Sequence, residues 1–219
     1  TITPLAIVIG GTMIYNGGTT VSTSNADLVI NNAIGSDGVT LSSGSARVSS
    51  KNVSAGSQSL SSFSGLSLAN NSYGNYTVSG VSGEITITPA PLGIQVTGVY
   101  SGSTTLTTIS SFTVTGLQGT DTITGLSSVT VSNKNVSANN KYVTSFAVSA
   151  GSADMSNYVL NAGYLAPVTT TTRTKDNSRC DHDCSYTTTT TVTPTNTTNV
   201  ATITPLAIVI GGTMIYNGG

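Results

Sequence analysis

Residues 84–96 read Glu-Ile-Thr-Ile-Thr-Pro-Ala-Pro-Leu-Gly-Ile-Gln-Val. Before Pro89, Ile85 and Ile87 alternate with Glu84, Thr86 and Thr88; after it, Leu92, Ile94 and Val96 alternate with Gly93 and Gln95. A period of two sends the branched side chains of each run to one face, so both runs read as half-buried strands. Pro89 has no amide hydrogen to give a ladder and biases Thr88 to extended backbone, which marks a junction between strands. The same alternation returns at Val129 and Val131 and at Phe146 and Val148. Turn clusters such as Asn16-Gly17-Gly18, Ser36-Asp37-Gly38 and Asn70-Asn71 fall between the runs at hairpin spacing. No segment carries a helical period, so the expected class is all-β.

Outward from this stretch, Thr-Ile-Thr-Pro closes a run twice, at 86–89 and at 202–205. Thr1 to Gly18 and Thr202 to Gly219 are the same eighteen residues, an offset of 201. Identity of that length points to one full period of a tandem array and the opening of the next. A weaker repeat lies inside the period. Tyr15-Asn16-Gly17 corresponds to Tyr100-Ser101-Gly102, and the turn at Gly35 to Thr40 to that at Gly119 to Thr124. Lys51 to Ala55 recurs letter for letter as Lys134 to Ala138, and Asn75-Tyr76 as Asn157-Tyr158. Collinear matches at nearly one offset define two homologous modules. The expected organisation is module one over 1–89, module two over 90–205 with an inserted ribbon at about 166–199, and the first strand of the next repeat over 206–219. About seven short strands in roughly 85 residues suit a small antiparallel immunoglobulin-like β-sandwich. Pro4, Pro89 and Pro205 stand at the module junctions. The strands after them, represented by Leu5, Ile7 and Ile9 and by their copies Leu206, Ile208 and Ile210, are the candidate repeat-junction strands.

Composition narrows the function. Among 219 residues only 7 are Lys or Arg and 8 are Asp or Glu, while 39 are Thr and 32 are Ser. So sparse a charge offers no basic surface for phosphates, so nucleic acid and anionic membrane are not expected partners. No uncharged apolar run approaches the ~18 residues of a membrane span, and neither end shows a signal-peptide pattern. A chain that begins without Met, is poor in Lys and Glu and carries two close cysteines reads as a fragment of a longer secreted protein.

Tyr-x-Gly-x-Thr-Thr at Tyr15 to Thr20 and Tyr100 to Thr105, the two Gly-x-Asp turns, the two Lys-Asn-Val triplets, Gly74-Asn75-Tyr76 and the closing Thr-Ile-Thr-Pro together resemble the YDG and MBG type repeats. Those repeats build large bacterial secreted or surface adhesins of the two-partner-secretion, filamentous-haemagglutinin-like kind. The resemblance covers about 165 of the 201 residues of the period. It departs at Asn16 and Ser101, where the family has Asp, and at Ser156, where it has Gly. It implies an extracellular filament or stalk module with no active site and no cofactor.

Asn75 and Thr86 are 11 positions apart, whereas Asn157 and Thr202 are 45 apart, so module two carries about 34 extra residues. These place an insertion between the last two strands. Its Thr runs, 169–172 and 187–191, flank a polar centre and read as one hairpin drawn out into a ribbon. An arm of about 15 residues at ~3.3 Å per residue would project roughly 50 Å. Thr169, Thr171, Thr187, Thr189 and Thr191 are the candidate contact residues, and the exposed edges of a ribbon invite a neighbouring module as cover. At the tip, Cys180-Asp181-His182-Asp183-Cys184 holds the only two cysteines and the only histidine. In a secreted chain Cys180 and Cys184 are most simply a disulfide closing a tight loop. The alternative is a metal site of Cys180, Cys184, His182 and Asp181 or Asp183, a spacing that matches no common zinc pattern.

The single His, with no base or pocket nearby in sequence, does not make a nucleophilic centre, so the chain is not expected to be an enzyme. Asp37 and Asp121 occupy equivalent turns, where a carboxylate caps backbone N–H groups or, with more oxygens, holds calcium. Lys51 and Lys134 are turn lysines or, alternatively, partners in a covalent cross-link to Asn or Asp. Five Asn-x-Ser/Thr sequons, at Asn52, Asn70, Asn75, Asn135 and Asn196, are no more than this composition supplies by chance. The expected function is thus a structural and adhesive repeat outside the cell, secreted or on the cell surface. Its expected partners are other copies of the same repeat and a cell-surface glycan. The competing reading makes the Thr-rich ribbon a glycan- or ice-binding surface.

Overall fold

The structure, a computed structural model, describes residues 1–138, 141–161, 168–175, 186–193 and 199–209, with only the backbone of 168–175 and 186–193. Among the described residues there is no α-helix, only strands, loops and two 3-10 turns, Val53–Ala55 and Met155–Asn157.

The first half is built on β1 (Leu5–Ile14), β2 (Thr20–Ser22), β3 (Ala26–Ile30), β4 (Thr40–Arg47), β5 (Ser57–Ser59), β6 (Ser61–Ala69) and β7 (Tyr76–Thr88). One four-stranded sheet has the order β3-β1-β7-β5 and one three-stranded sheet the order β2-β4-β6. Alternation decides which side chains are inside. Ile7, Ile9, Met13 and Tyr15 of the β1 run are buried, as are Ile85 and Ile87 of β7, while Val8 and Ile14 face outward. Each such aliphatic side chain is worth roughly 1.5–3 kcal/mol of transfer from water, so the two central strands anchor this core. Gly11 lies where β3 runs closest: a Cβ there would sit 2.0 Å from the Asp27 carbonyl oxygen.

The second half repeats the plan with β8 (Ala90–Val99), β9 (Thr105–Leu106), β10 (Ile109–Thr115), β11 (Ile123–Val131), β12 (Val143–Gly151), β13 (Tyr158–Leu160) and β16 (Ala201–Thr204). The ribbon strands β14 (Val168–Lys175) and β15 (Tyr186–Thr193) lie between the last two. One sheet runs β10-β8-β13, with β16 also on β8, and another β12-β11-β9. Leu92, Ile94 and Val96 are buried, with Leu106, Val129, Val131 and Ile203.

One difference from the sequence reading has a physical cause. The sheets are mixed rather than antiparallel throughout: β1 and β7 are parallel, as are β8 with β13 and β8 with β16. Alternation assigns faces and carries no information on direction, because parallel and antiparallel strands share the period of two. The insertion lies between β13 and β16, the last two strands of the second half, as expected, and the registers show what those two strands are. Leu5 pairs with Tyr76 and Ala6 with Thr77, then the register slips before Val8 pairs with Ser82, a bulge; Thr12, Met13 and Ile14 pair with Thr86, Ile87 and Thr88. In the second half Ala90 pairs with Tyr158 and Pro91 with Val159, while Thr97, Gly98 and Val99 pair with Thr202, Ile203 and Thr204. The two registers coincide, so β13 and β16 are the halves of one β7-like strand, and the extra residues enter where β7 bulges. A bulge already interrupts the ladder, so a loop extruded there breaks the fewest hydrogen bonds. Asparagine side chains stitch the break. Asn32 accepts from the Val8 N–H and donates to the Ala6 carbonyl across the β1 side, and the Asn199 side-chain oxygen accepts from the Ile94 N–H at 2.9 Å.

The chain forms two compact units. The first comprises 1–92, 115–124 and 150–162; the second comprises 93–114, 125–149 and the described residues beyond 163. The first unit therefore takes in two segments of the second half, and these carry Asp121, Asn157 and Tyr158.

Candidate functional site

Tyr15 follows β1, its N–H donating to the Thr88 carbonyl at 2.8 Å and so extending the parallel pair by one residue. The chain then turns through Gly17, whose φ of +78° suits glycine, and the Asn16 side-chain oxygen accepts from the Gly18 N–H at 2.9 Å. Asn16, where the resemblance has Asp, thus serves the turn as an Asp would. The ring of Tyr15 is 1% exposed, and its hydroxyl donates to Oδ2 of Asp121 at 2.8 Å. The same oxygen accepts from the Tyr158 hydroxyl at 2.7 Å. The Tyr158 hydroxyl in turn accepts from the Gln118 N–H at 3.0 Å. The two rings meet edge to face, 5.3 Å between centroids at 77°, a favoured aromatic geometry. Lys51 Nζ lies 5.9 Å from the Tyr15 ring centroid, in cation–π range.

A second contact flanks this clasp. Asn157, 1% exposed, accepts from the Val53 N–H at 2.8 Å and donates to the Asn52 side-chain oxygen at 3.1 Å. Gly17 and Gly119 meet backbone to backbone: a Cβ on Gly17 would lie 3.0 Å from the Gly119 Cα. Burial first, and then the bond to the Asp121 carboxylate, push the Tyr15 and Tyr158 hydroxyls above the ordinary tyrosine range, with the Lys51 ammonium pulling Tyr15 the other way. Both tyrosines therefore stay protonated donors at neutral pH. The arrangement binds segments of the chain together.

Half of the clasp recurs. The Tyr76 hydroxyl donates to Oδ2 of Asp37 at 2.7 Å and accepts from the Ile34 N–H at 2.7 Å, as Tyr158 does with Asp121 and Gln118. The Ile34 bond lowers the Tyr76 hydroxyl, but the Asp37 bond and partial burial outweigh it and the net shift is upward.

The turn aspartates, read from sequence as caps of backbone N–H groups, instead accept tyrosine hydroxyls. Lys134 donates to the Gly102 carbonyl at 3.3 Å. Leu5, Ile7 and Ile9 lie in β1, the last two buried. Leu206 and Ile208 are 62% and 87% exposed in a stretch without regular structure. Ile210, Cys180, Asp181, His182, Asp183, Cys184 and Asn196 lie outside the described residues, so the disulfide and metal readings do too. The ribbon is present as an antiparallel pair of eight residues a side, from Val168 opposite Thr193 to Lys175 opposite Tyr186. Thr169 and Thr171 stand opposite Val192 and Thr190, whereas Thr187, Thr189 and Thr191 stand opposite Thr174, Thr172 and Thr170. The five candidate threonines thus fall at two phases of the pleat and do not form one row.

The clasp was missed in the sequence, although its members are the residues that recur between the halves. Tyr15, Asp121 and Tyr158 have counterparts in Tyr100, Asp37 and Tyr76, and recurrence was the available signal. The fold and clasp together define a β-rich repeat module of interlocking segments. Residues 1–83 match the YDG domain family, over β1 to β6 and β7 as far as Gly83. No curated protein and no solved structure matches the chain.

Proposed function

We propose that this protein is a structural and adhesive repeat of an extracellular filament or giant surface adhesin, chaining immunoglobulin-like sandwich modules and presenting one lateral ribbon per period, tipped by a Cys180–Cys184 disulfide. The observation that carries this reading is the Tyr15–Asp121–Tyr158 clasp, which spends the recurrent residues of the sequence on holding successive segments to each other. Exact recurrence of residues 1–18 at 202–219 supports a chain that repeats the arrangement.

The test is length. Chains carrying one, two and four periods of 201 residues should gain a constant increment of maximum dimension per period in small-angle scattering and in electron micrographs. A dimension that saturates, or one that grows with the square-root law of a flexible coil, overturns the reading.

The ribbon favours a second reading, since threonines stand opposite threonines at 170/191, 171/190, 172/189 and 174/187. Such an array would bind a glycan or ice. Deleting residues 168–198 should then abolish glycan-array binding or ice shaping, while end-to-end assembly persists.

A further inference from the structure

The clasp between the halves uses one surface from each half, and the remaining copy of each surface is unmatched among the described residues. We propose that a second copy of the chain completes it: the Tyr100 turn of one copy docks on the Asp37–Tyr76 pair of another, reproducing the contact of Tyr15 with Asp121 and Tyr158.

Tyr100 is prepared as Tyr15 is. Its N–H donates to the Thr204 carbonyl at 2.9 Å, as that of Tyr15 donates to Thr88 at 2.8 Å. Gly102 holds φ +77° against +78° at Gly17. The receiving side is equally preformed. Gly35 has φ +60° against +58° at Gly119, and Tyr76 already holds Asp37 and Ile34 as Tyr158 holds Asp121 and Gln118. What differs is occupancy. A Cβ on Gly17 meets Gly119, but one on Gly102 or on Gly35 meets nothing within 4 Å. Asn157 is 1% exposed between Asn52 and Val53; its counterpart Asn75 is exposed, and Val136, the counterpart of Val53, is 38% exposed. Asp37 is exposed where Asp121 is half-buried, so its carboxylate has room for the second hydroxyl that Asp121 accepts.

The occupant follows from complementarity. The surface offers a carboxylate, an exposed Asn side chain and an unobstructed glycine, and the Tyr-x-Gly turn with its Asn-Val neighbour is what the chain itself places on the equivalent set. Because plug and socket differ, the contact is heterologous and propagates from copy to copy. In a tandem array the occupant would be the preceding period of the same chain, held at an effective concentration in the millimolar range. The inference rests on the tandem-repeat reading for what the contact serves, and not for whether it forms.

The test uses the full chain in sedimentation velocity over a concentration series reaching about the millimolar level that a tether would supply. We expect a reversible, concentration-dependent rise in mass, weakened at least about tenfold by Tyr100→Ala or by Asp37→Ala, since a hydrogen bond to a charged group is lost. Mixing the two variants should restore association but stop it at a heterodimer, because each retains one intact surface. Asp37→Ala also removes the partner of Tyr76, so Asn135→Ala, on the exposed plug side, serves as a second weakening variant. A chain that remains monomeric throughout, association that survives both Tyr100→Ala and Asn135→Ala, or a mixture that grows beyond two copies overturns the proposal. Length scaling of multi-period chains carrying Tyr100→Ala separates the two readings: persistence of the constant increment would leave the repeat function standing without this contact.

Discussion

The Tyr15 hydroxyl reaches the Asp121 carboxylate, 106 residues away, at 2.8 Å, and shares that carboxylate oxygen with the hydroxyl of Tyr158. One acceptor thereby ties the turn after β1 to two later segments. Hydrogen bonds to a charged partner are worth roughly 1.5–3 kcal/mol each. Tyr15→Phe, which leaves Asp121 held by Tyr158, should cost about 1–2 kcal/mol in urea unfolding. Asp121→Ala strands two buried hydroxyls and should cost more, about 2–4 kcal/mol. A double-mutant cycle of Tyr15→Phe with Tyr158→Phe should show coupling, because both act through one oxygen. Strict additivity would mean that the two bonds are independent.

Alkaline titration tests the same three residues. The folded-state values of Tyr15 and Tyr158 lie above the ordinary 10.0, chiefly through burial and then through the Asp121 bond. A raised value means that folding favours the protonated form, so this stabilisation is complete below pH 10 and is lost as pH rises through the folded-state values. Thermal midpoints should be flat from neutral pH to about pH 9.5 and fall beyond it. Phenolate absorbance from these two residues should appear only with unfolding, and Tyr15→Phe/Tyr158→Phe should flatten the decline.

Gly17 and Gly102 share a backbone conformation but not a neighbour. Alanine at either pays for positive φ, about 1 kcal/mol. At Gly17 the added Cβ also meets the Gly119 Cα at 3.0 Å. Gly17→Ala should therefore lower the unfolding midpoint by clearly more than Gly102→Ala, and the difference isolates the contact. Equal effects would show that the close approach carries no weight.

What was legible in the sequence follows from what each pattern encodes. Alternation at Ile85, Ile87, Leu92, Ile94 and Val96 fixed the buried faces and hence the all-β class, because burial acts on side chains and their period is two. It carried no direction, so the parallel pairing of β1 with β7 was invisible. The letter matches of Tyr15 with Tyr100, Asp37 with Asp121 and Tyr76 with Tyr158 revealed equivalence between positions. They did not reveal that Tyr15 meets Asp121, since contact between repeats is not a property of either repeat alone. The ribbon's hairpin was legible from its Thr runs. Its register was not: symmetry of the letters sets Val168 against Val192, whereas Val168 stands opposite Thr193.

The insertion offers a last prediction. β13 and β16 hold the registers of the two parts of β7, and residues 161–198 stand where β7 has only Ser79, Gly80, Val81 and Ser82. Replacing 161–198 by Ser-Gly-Val-Ser should thus rebuild one continuous bulged strand on β8. Ala201 and Ile203 are buried as Ile85 and Ile87 are, so the core on this strand needs nothing from the ribbon. Asn199 must be kept, because it is 2% exposed and serves the Ile94 N–H. Its loss would leave a buried donor unsatisfied, at about 1–3 kcal/mol. The shortened chain should unfold in one cooperative transition within about 1 kcal/mol of the parent, since closing a shorter loop costs slightly less entropy. Adding Asn199→Ala should then lower its stability by the amount of the lost bond. A shortened chain that fails to fold, or that loses the cooperative transition while keeping Asn199, would show that the ribbon is part of the module and not a guest in its last strand.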